Sequence, residues 1–301
     1  GWVQRLAIVF LALIGFFLAR YLAAFQLGHI VSPWDPFFGE GTRRVLTSDV
    51  SKAFPVSDAG LGALSYLLDA LAGVIGGVRR WRTMPWMVVL FGLFIIPPGV
   101  TSIVLVILQP VGIGDWCTLC LVASVVMLLM VSPALDEVIA TGQFLLRARR
   151  TGTSVWRVFW HGDRTTVDEP KIHTRSLLSE ILHSIEAFSA PWNLWLSTMV
   201  GAWLMAAPTL LHVAGTAADS THIAGALVVT FSVVAFAEPA RPIRLLNILC
   251  GAWLLLAAWM LDGGMLDWPW ISAISGLAVI ALNIRRGPVE DQYGNWQGLI
   301  R

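Results

Sequence analysis

Cysteine is scarce in this chain, with three in 301 residues, and that scarcity excludes a scaffold stapled by several disulfides. An odd count also leaves at least one thiol outside any internal pair. There is no second cysteine pair and no His-x3-His, so a zinc site built on the existing pair lacks two ligands. Charge is scarce too: only 13% of residues are Asp, Glu, Lys or Arg, and the formal net charge is +1, which offers no general attraction to nucleic acid. Tyrosine occurs three times against fifteen tryptophans, a supply of rings suited to the boundary between water and lipid. The remainder is largely apolar: 56% of the chain is hydrophobic and the mean hydropathy is +0.72. Those values predict an all-α integral membrane protein in contact with lipid. The first apolar segment is long enough to span and is followed by no small-x-small cleavage site, so it reads as a retained helix.

Spans of about 20 apolar residues fall near 6–27, 58–78, 86–109, 116–134, 192–212, 222–238, 245–262 and 268–284. Eight transmembrane helices are therefore expected, and the basic residues orient them. Arg79, Arg80 and Arg82 crowd the second connection, Arg147, Arg149 and Arg150 follow the fourth span, Arg241 and Arg244 lie in the sixth connection, and Arg285 and Arg286 follow the eighth span. These mark the cytoplasmic side. The third, fifth and seventh connections contain no Lys or Arg and face outward. The first connection, 28–57, carries Arg43, Arg44 and Lys52, but parity with its neighbours places it outside, where Asp35, Glu40 and Asp49 balance it. Both ends are then cytoplasmic.

The spans divide into a first domain over 1–135, a charged linker over 136–188, and a second four-helix domain over 189–301. Within the linker, "TRSLLSEILHSIEAF" sets Leu177, Leu178, Ile181, Leu182, Ile185 and Phe188 on one helical stripe, suited to lying on the cytoplasmic face or to packing on a neighbour. The second domain repeats: "GAWL" at Gly201–Leu204 returns at Gly251–Leu254, a period near 50 residues that covers a helix pair. Gly201, Ala202, Gly251 and Ala252 allow close helix approach.

"GDWCTLCLV" puts Cys117 and Cys120 three residues apart at the start of the fourth span, at its outward end. That spacing sets both sulfurs on one helix face, and the amides of a first turn stabilise a thiolate. Asp115, expected as the helix cap, opposes this by like-charge repulsion. Free cysteines also pack as small hydrophobes, so packing and redox chemistry both stay open, with the outward position favouring redox.

The stretch 1–135 resembles the vitamin K epoxide reductase family: four helices, a long outward loop after the first, and a Cys-x-x-Cys, here "CTLC", opening the fourth. The run "VLTSDVSKAFPVSDAGLGALSY" at 45–66 is similar to that family's passage from outer loop into second helix. The part from 188 to 296 resembles the SPW repeat, with "SAPW" at Ser189–Trp192 as an expanded form of its motif. The first resemblance implies a membrane thiol–quinone oxidoreductase in which Cys120 faces a quinone of the menaquinone or ubiquinone class and Cys117 exchanges with an incoming thiol. It also implies the inner membrane of a bacterium, with the pair on the periplasmic side and a periplasmic thiol protein or larger membrane complex as partner. The chain departs from that pattern: residues 28–57 contain no cysteine, no thioredoxin-like domain is fused, and Ser124 stands where an aromatic hydroxyl often comes after the motif. The alternative is a catalytically inactive subunit or scaffold of a larger complex.

Trp116, Tyr66, Ser124 and Phe38 are the candidate quinone contacts. Trp116 precedes the pair, Tyr66 offers a phenolic donor one turn before Asp69, and Phe38 lies in "SPWDPFFGEGTRR", which reads as a lid or an aromatic anchor. Asp69, in mid-span, is expected to be protonated, paired or facing a polar cavity, with Arg20 the nearest cation by depth or else snorkelling. Pro97-Pro98-Gly99 is expected to break the third span. His29, His212 and His222 read as interfacial and Cys250 as packing.

Overall fold

A computed structural model describes residues 2–53, 55–77, 79–163, 191–261 and 267–285. Among them every regular element is helical, in keeping with an all-α integral membrane protein. The helices are α1 (Trp2–Gln26), α2 (Gly41–Thr47), α3 (Asp58–Val74), α4 (Arg80–Thr83), α5 (Pro85–Leu108), α6 (Thr118–Arg150), α7 (Val155–His161), α8 (Trp192–Leu210), α9 (Thr216–Val234), α10 (Leu246–Met260) and α11 (Trp268–Ile284). Among the described residues five stretches are long and apolar enough to cross a membrane on their own: Arg5–Gln26, Pro85–Ile113, Thr118–Arg150, Thr216–Val234 and Glu238–Met260. The expected stripe at Leu177–Phe188 lies outside the described residues.

Two elements differ from the sequence reading. α5 runs unbroken through Pro97 and Pro98, and the irregular backbone comes later, as one wide turn over Gln109–Ile113. Lipid supplies no competing hydrogen-bond partners, so a spanning helix absorbs a missing amide without unravelling. α6 continues to Arg150, past its expected end at 134. Its 33 residues reach about 50 Å at 1.5 Å each, well beyond a hydrocarbon layer of roughly 30 Å. The charges after Asp136 are therefore carried on helix for a further four turns or so.

The chain forms two compact units, one of Gly1–Trp34, Leu46–Val100 and Val122–Ser189, the other of Asp35–Val45, Thr101–Leu121 and Ala190–Arg301. In the first, α1 packs along α3. Gly15 admits the Tyr66 ring, where a β-carbon would lie 2.3 Å from Cε1, and Gly73 similarly admits Val9. Gly92 faces Val138 and Gly99 faces Val131, which lets α5 and α6 approach closely. One end of the unit is closed by buried charge. Arg5 donates to the Ile75 and Gly76 carbonyls at 2.6 and 2.7 Å, and Arg80 donates to the Ala72 carbonyl and, through Nε, to Glu137 at 2.7 Å. Two guanidinium groups thereby satisfy the open carbonyls at the end of α3, with Glu137 as their shared counter-charge. At the other end Gln26 donates to Ser51 and Asp58 and accepts from Ser57, fastening the end of α1 to the start of α3.

Asp69 is fully buried on α3, and neither carboxylate oxygen has a hydrogen-bond partner among the described residues. Arg20 is exposed and forms no ion pair with it. Its exposure fits the snorkelling alternative rather than the pairing with Asp69.

In the second unit α8 pairs with α9 and α10 with α11, and the pairs join through α9 with α10 and α8 with α11. Each pair crosses at glycines: Gly201 against the Gly225 carbonyl, Gly251 against the Gly276 carbonyl, with a β-carbon at Gly201 meeting that oxygen at 2.9 Å and at Gly251 at 2.7 Å. Ala202 and Ala252 turn outward instead. Below the crossings, one buried polar side chain from each helix joins a ring. Asn247 donates to Ser232 and to Asn283, Asn283 donates to Ser197, and Ser232 donates to Ser197, all at 2.9–3.0 Å. Ser197 and Asn247 are 50 positions apart and Ser232 and Asn283 are 51 apart, so the ring is built from equivalent sites of the repeat.

Candidate functional site

The wide turn after α5 ends at Gly114, whose positive φ of 79° is open to glycine without strain. Gln109, almost fully buried, organises the entry to α6: its carbonyl accepts from the amides of Gly114 and Asp115, and its side-chain Oε1 accepts from the Cys117 amide at 2.9 Å. The chain is thus aimed into α6 with Cys117 as the residue just outside the helix. The Cys117 carbonyl accepts from Leu121, and its sulfur accepts from the Cys120 amide at 3.1 Å. That is the bonding pattern of an N-cap, with sulfur where serine or threonine would place oxygen. A disulfide joins Cys117 to Cys120, their Cα atoms 5.3 Å apart. Cys117 has no exposed surface, whereas Cys120 is half-buried.

Asp115, expected as the cap, instead pairs with Arg44 at 3.1 Å. Its negative charge is compensated, which weakens its opposition to a thiolate nearby.

Asp35 is the residue that fastens the loop after α1 to the cysteine motif. Its Oδ1 accepts from the amides of Phe37 and Phe38 and from the Thr118 hydroxyl, the last at 2.5 Å, while Oδ2 accepts from the Thr42 amide at 3.1 Å and hydroxyl at 2.7 Å. Burial pushes the Asp35 carboxyl up, but the hydroxyl bonds from Thr118 and Thr42 and the amides of Phe38 and Phe37 outweigh it and hold the group well below the usual carboxylate range. Gly41, opening α2, lies so close to the motif that a β-carbon would sit 2.1 Å from the Trp116 carbonyl oxygen.

The same fastening brings Phe38 to Trp116, ring centroids 6.1 Å apart and nearly parallel. Trp116 also donates its indole N–H to Thr209 at 3.4 Å and meets the His222 ring edge-on at 5.0 Å. These contacts group residues 101–121 with the helices of the second unit. His222 is buried in α9, one ring nitrogen 3.3 Å from the Met205 carbonyl, not at an interface. A cavity of about 280 Å³ opens beside Trp116, walled by Pro110, Gly114, Met205, Thr209 and His222.

Cys117, Cys120, Trp116 and Phe38 therefore come together. Tyr66 and Ser124 belong to the other unit. The Tyr66 hydroxyl donates to the Ala123 carbonyl at 2.6 Å, so its proton is already committed. Ser124 comes one turn of α6 after Cys120 and is half-buried. Among the described residues no cluster of three His, Cys, Asp or Glu is placed to hold a metal.

Residues 6–135 match the model of the vitamin K epoxide reductase family, and residues 191–286 match that of the SPW repeat domain. The chain carries a vitamin K epoxide reductase family domain followed by an SPW repeat domain. The first match encloses the Cys-x-x-Cys turn and supports a membrane protein of thiol–disulfide oxidoreductase type. No curated protein and no solved structure matches the chain. Within the reductase-family domain, sequence reasoning missed Asp35, Thr118 and Gln109. The signal for Asp35 was local: an Asp two and three residues before free amides, ahead of Gly and Thr, is a turn-forming pattern.

Proposed function

We propose that this protein is a membrane thiol–quinone oxidoreductase in which Cys117 and Cys120 cycle between dithiol and disulfide. The observation that carries the reading is the hydrogen-bonded turn that delivers two sulfurs to the start of one helix, inside the segment matching the vitamin K epoxide reductase family. As the S–S bond closes, the dithiol gives up two electrons and two protons, and a membrane quinone of the menaquinone or ubiquinone class accepts both. Half-buried Cys120 is the sulfur that faces the quinone. Phe38 and Trp116 offer flat faces beside the motif, and the stacked pair fits a planar ring. Tyr66 orders α6 through Ala123, and Ser124 follows Cys120 by one turn of that helix.

An incoming protein thiol attacks Cys117 to form a mixed disulfide, with Cys120 leaving as thiolate, and a second thiol of the donor then attacks that bond, leaving the donor as a disulfide and Cys117 reduced. Cys117 is fully buried, so this step requires it to be uncovered, and release of the Asp35–Thr118 bond is the motion assigned to that role. A reduced Cys117 at the helix start is stabilised by the amide of Cys120 and the helix dipole. The distribution of arginines supports an outward-facing motif, and the reading takes that side as the periplasm of a bacterial inner membrane, where conditions are oxidising and a periplasmic thiol protein is the natural donor.

The absence of cysteine from residues 28–57 favours a second reading, an inactive scaffold subunit of a larger membrane complex. Thiol trapping separates the two. The enzyme reading expects Cys117 and Cys120 to alkylate after reduction and to become protected again on addition of a quinone. Identical labelling with and without quinone supports the scaffold.

A further inference from the structure

At the end of the first unit opposite Asp58, a cavity of about 1380 Å³ lies among α4, the start of α5, the last turns of α6, and α7. Its wall carries Arg82, Arg147 and Arg157 against one carboxylate, Asp163. Arg82 pairs weakly with Asp163 at 3.9 Å and lies over the Trp81 and Phe144 rings, 5.7 and 6.0 Å from their centroids. Arg147 and Arg157 have no ion-pair partner among the described residues. Trp81, Trp86, Phe144 and Trp160 supply aromatic surface to the wall, with Trp86 and Trp160 stacked at 6.2 Å, and Thr151, Thr153 and Ser154 add hydroxyls.

The cavity is held open by specific backbone contacts. The Asp163 amide donates to the Arg82 carbonyl at 3.0 Å, and Gly162 passes so close to α4 that a β-carbon would meet the Thr83 carbonyl oxygen at 2.4 Å. α7 is thereby strapped across the end of α4, with Trp156 and Trp160 exposed. Trp86 stands in the first turn of the apolar stretch Pro85–Ile113, so the cavity lies at one end of that run, where arginines and indoles suit lipid headgroups.

We propose that this cavity is a binding site for an anionic phospholipid of the surrounding leaflet. The phosphate is taken by the guanidinium groups of Arg147 and Arg157, with Arg82 behind them on its aromatic support, and the acyl chains leave along Trp86 and Trp160. Guanidinium groups suit this task, since each presents several donors to phosphate oxygens and stacks on rings without losing its charge. The site is independent of the cysteine chemistry.

The test is native mass spectrometry of the full chain in detergent, titrated with short-chain phosphatidylglycerol, with short-chain phosphatidylcholine, and with inorganic phosphate. Phosphatidylglycerol is expected to bind roughly tenfold more tightly than phosphatidylcholine. The double variant R147Q/R157Q is expected to lose that preference, R147K/R157K to keep most of it, and R149Q/R150Q, which removes the same charge outside the cavity, to leave it intact. Equal binding of the two lipids by the unaltered protein overturns the proposal, whatever the variants do. So does equal loss in R149Q/R150Q, which marks general basicity, or displacement of the lipid by equimolar inorganic phosphate, which marks a soluble anion as occupant.

Discussion

Thr118, one of the two residues between the cysteines, donates its hydroxyl proton to Asp35, 83 positions earlier in the chain. This bond helps tie the loop after α1 to the cysteine motif, and the same carboxylate orders Phe37, Phe38 and Thr42. Thr118→Val removes the donor and leaves Asp35 its other partners. A hydrogen bond to a charged group contributes about 1.5–3 kcal/mol, so the unfolding midpoint of the detergent-solubilised protein is expected to fall. Faster alkylation of reduced Cys117 is expected with it. An unchanged labelling rate contradicts the clamp.

The Asp35 carboxyl, held below its ordinary range in the fold, also gives a pH dependence. Because the folded value is depressed, its stabilisation is present above the unfolded value of about 4 and declines as the pH falls further. Lowering the pH from 6 to 3 is expected to destabilise the parent protein more than Asp35→Asn. Parallel losses in the two proteins contradict this.

Gly41→Ala puts a β-carbon 2.1 Å from the Trp116 carbonyl oxygen, a backbone atom that cannot swing aside. Overpacking of this kind costs about 1–3 kcal/mol. The variant is expected to show a lower unfolding midpoint, whereas Gly142→Ala, inside α6 with nothing within 4 Å, is expected to be at least as stable as the parent.

Glu137→Gln leaves Arg5 and Arg80, each almost completely buried, without their shared counter-charge. Breaking a buried ion pair from one side costs about 3–5 kcal/mol, so this is expected to be the most damaging of the substitutions considered. Thermal unfolding against the parent checks it.

Asn283→Leu removes from the buried ring a group that bonds both Ser197 and Asn247. Interhelical hydrogen bonds in membranes contribute about 0.6–2 kcal/mol, and a loss in that range is expected in the unfolding free energy.

The helices were legible because a bilayer demands long apolar runs and tolerates few alternatives, a constraint written directly into composition. The glycine repeat at Gly201 and Gly251 was legible for a related reason, since only small side chains let spans touch. Pairings between distant segments were not legible. Arg20 read as a snorkelling cation or as a partner for Asp69, and its exposed side chain fits the first of these. Arg80 read as a topological marker and proves to be a buried cap on α3. Tyr66 read as a phenolic donor or a packed ring, and which backbone carbonyl its hydroxyl meets, that of Ala123, was not visible in the sequence. His222 read as interfacial because it lies near a helix start, yet its partner Trp116 is more than a hundred residues away in sequence. The cysteine motif was visible as a pattern, while Gln109, Asp35 and Thr118 emerge only when the turn is seen folded.

The central claim is tested most directly by mass-spectrometric redox titration of Cys117 and Cys120 in membranes, with a quinol or quinone as the only added redox partner. The account predicts that quinone converts the reduced pair to the disulfide with loss of two hydrogens per protein, and that Cys120→Ser abolishes the conversion. A pair that stays reduced in the presence of excess quinone, while remaining open to alkylation, would contradict it.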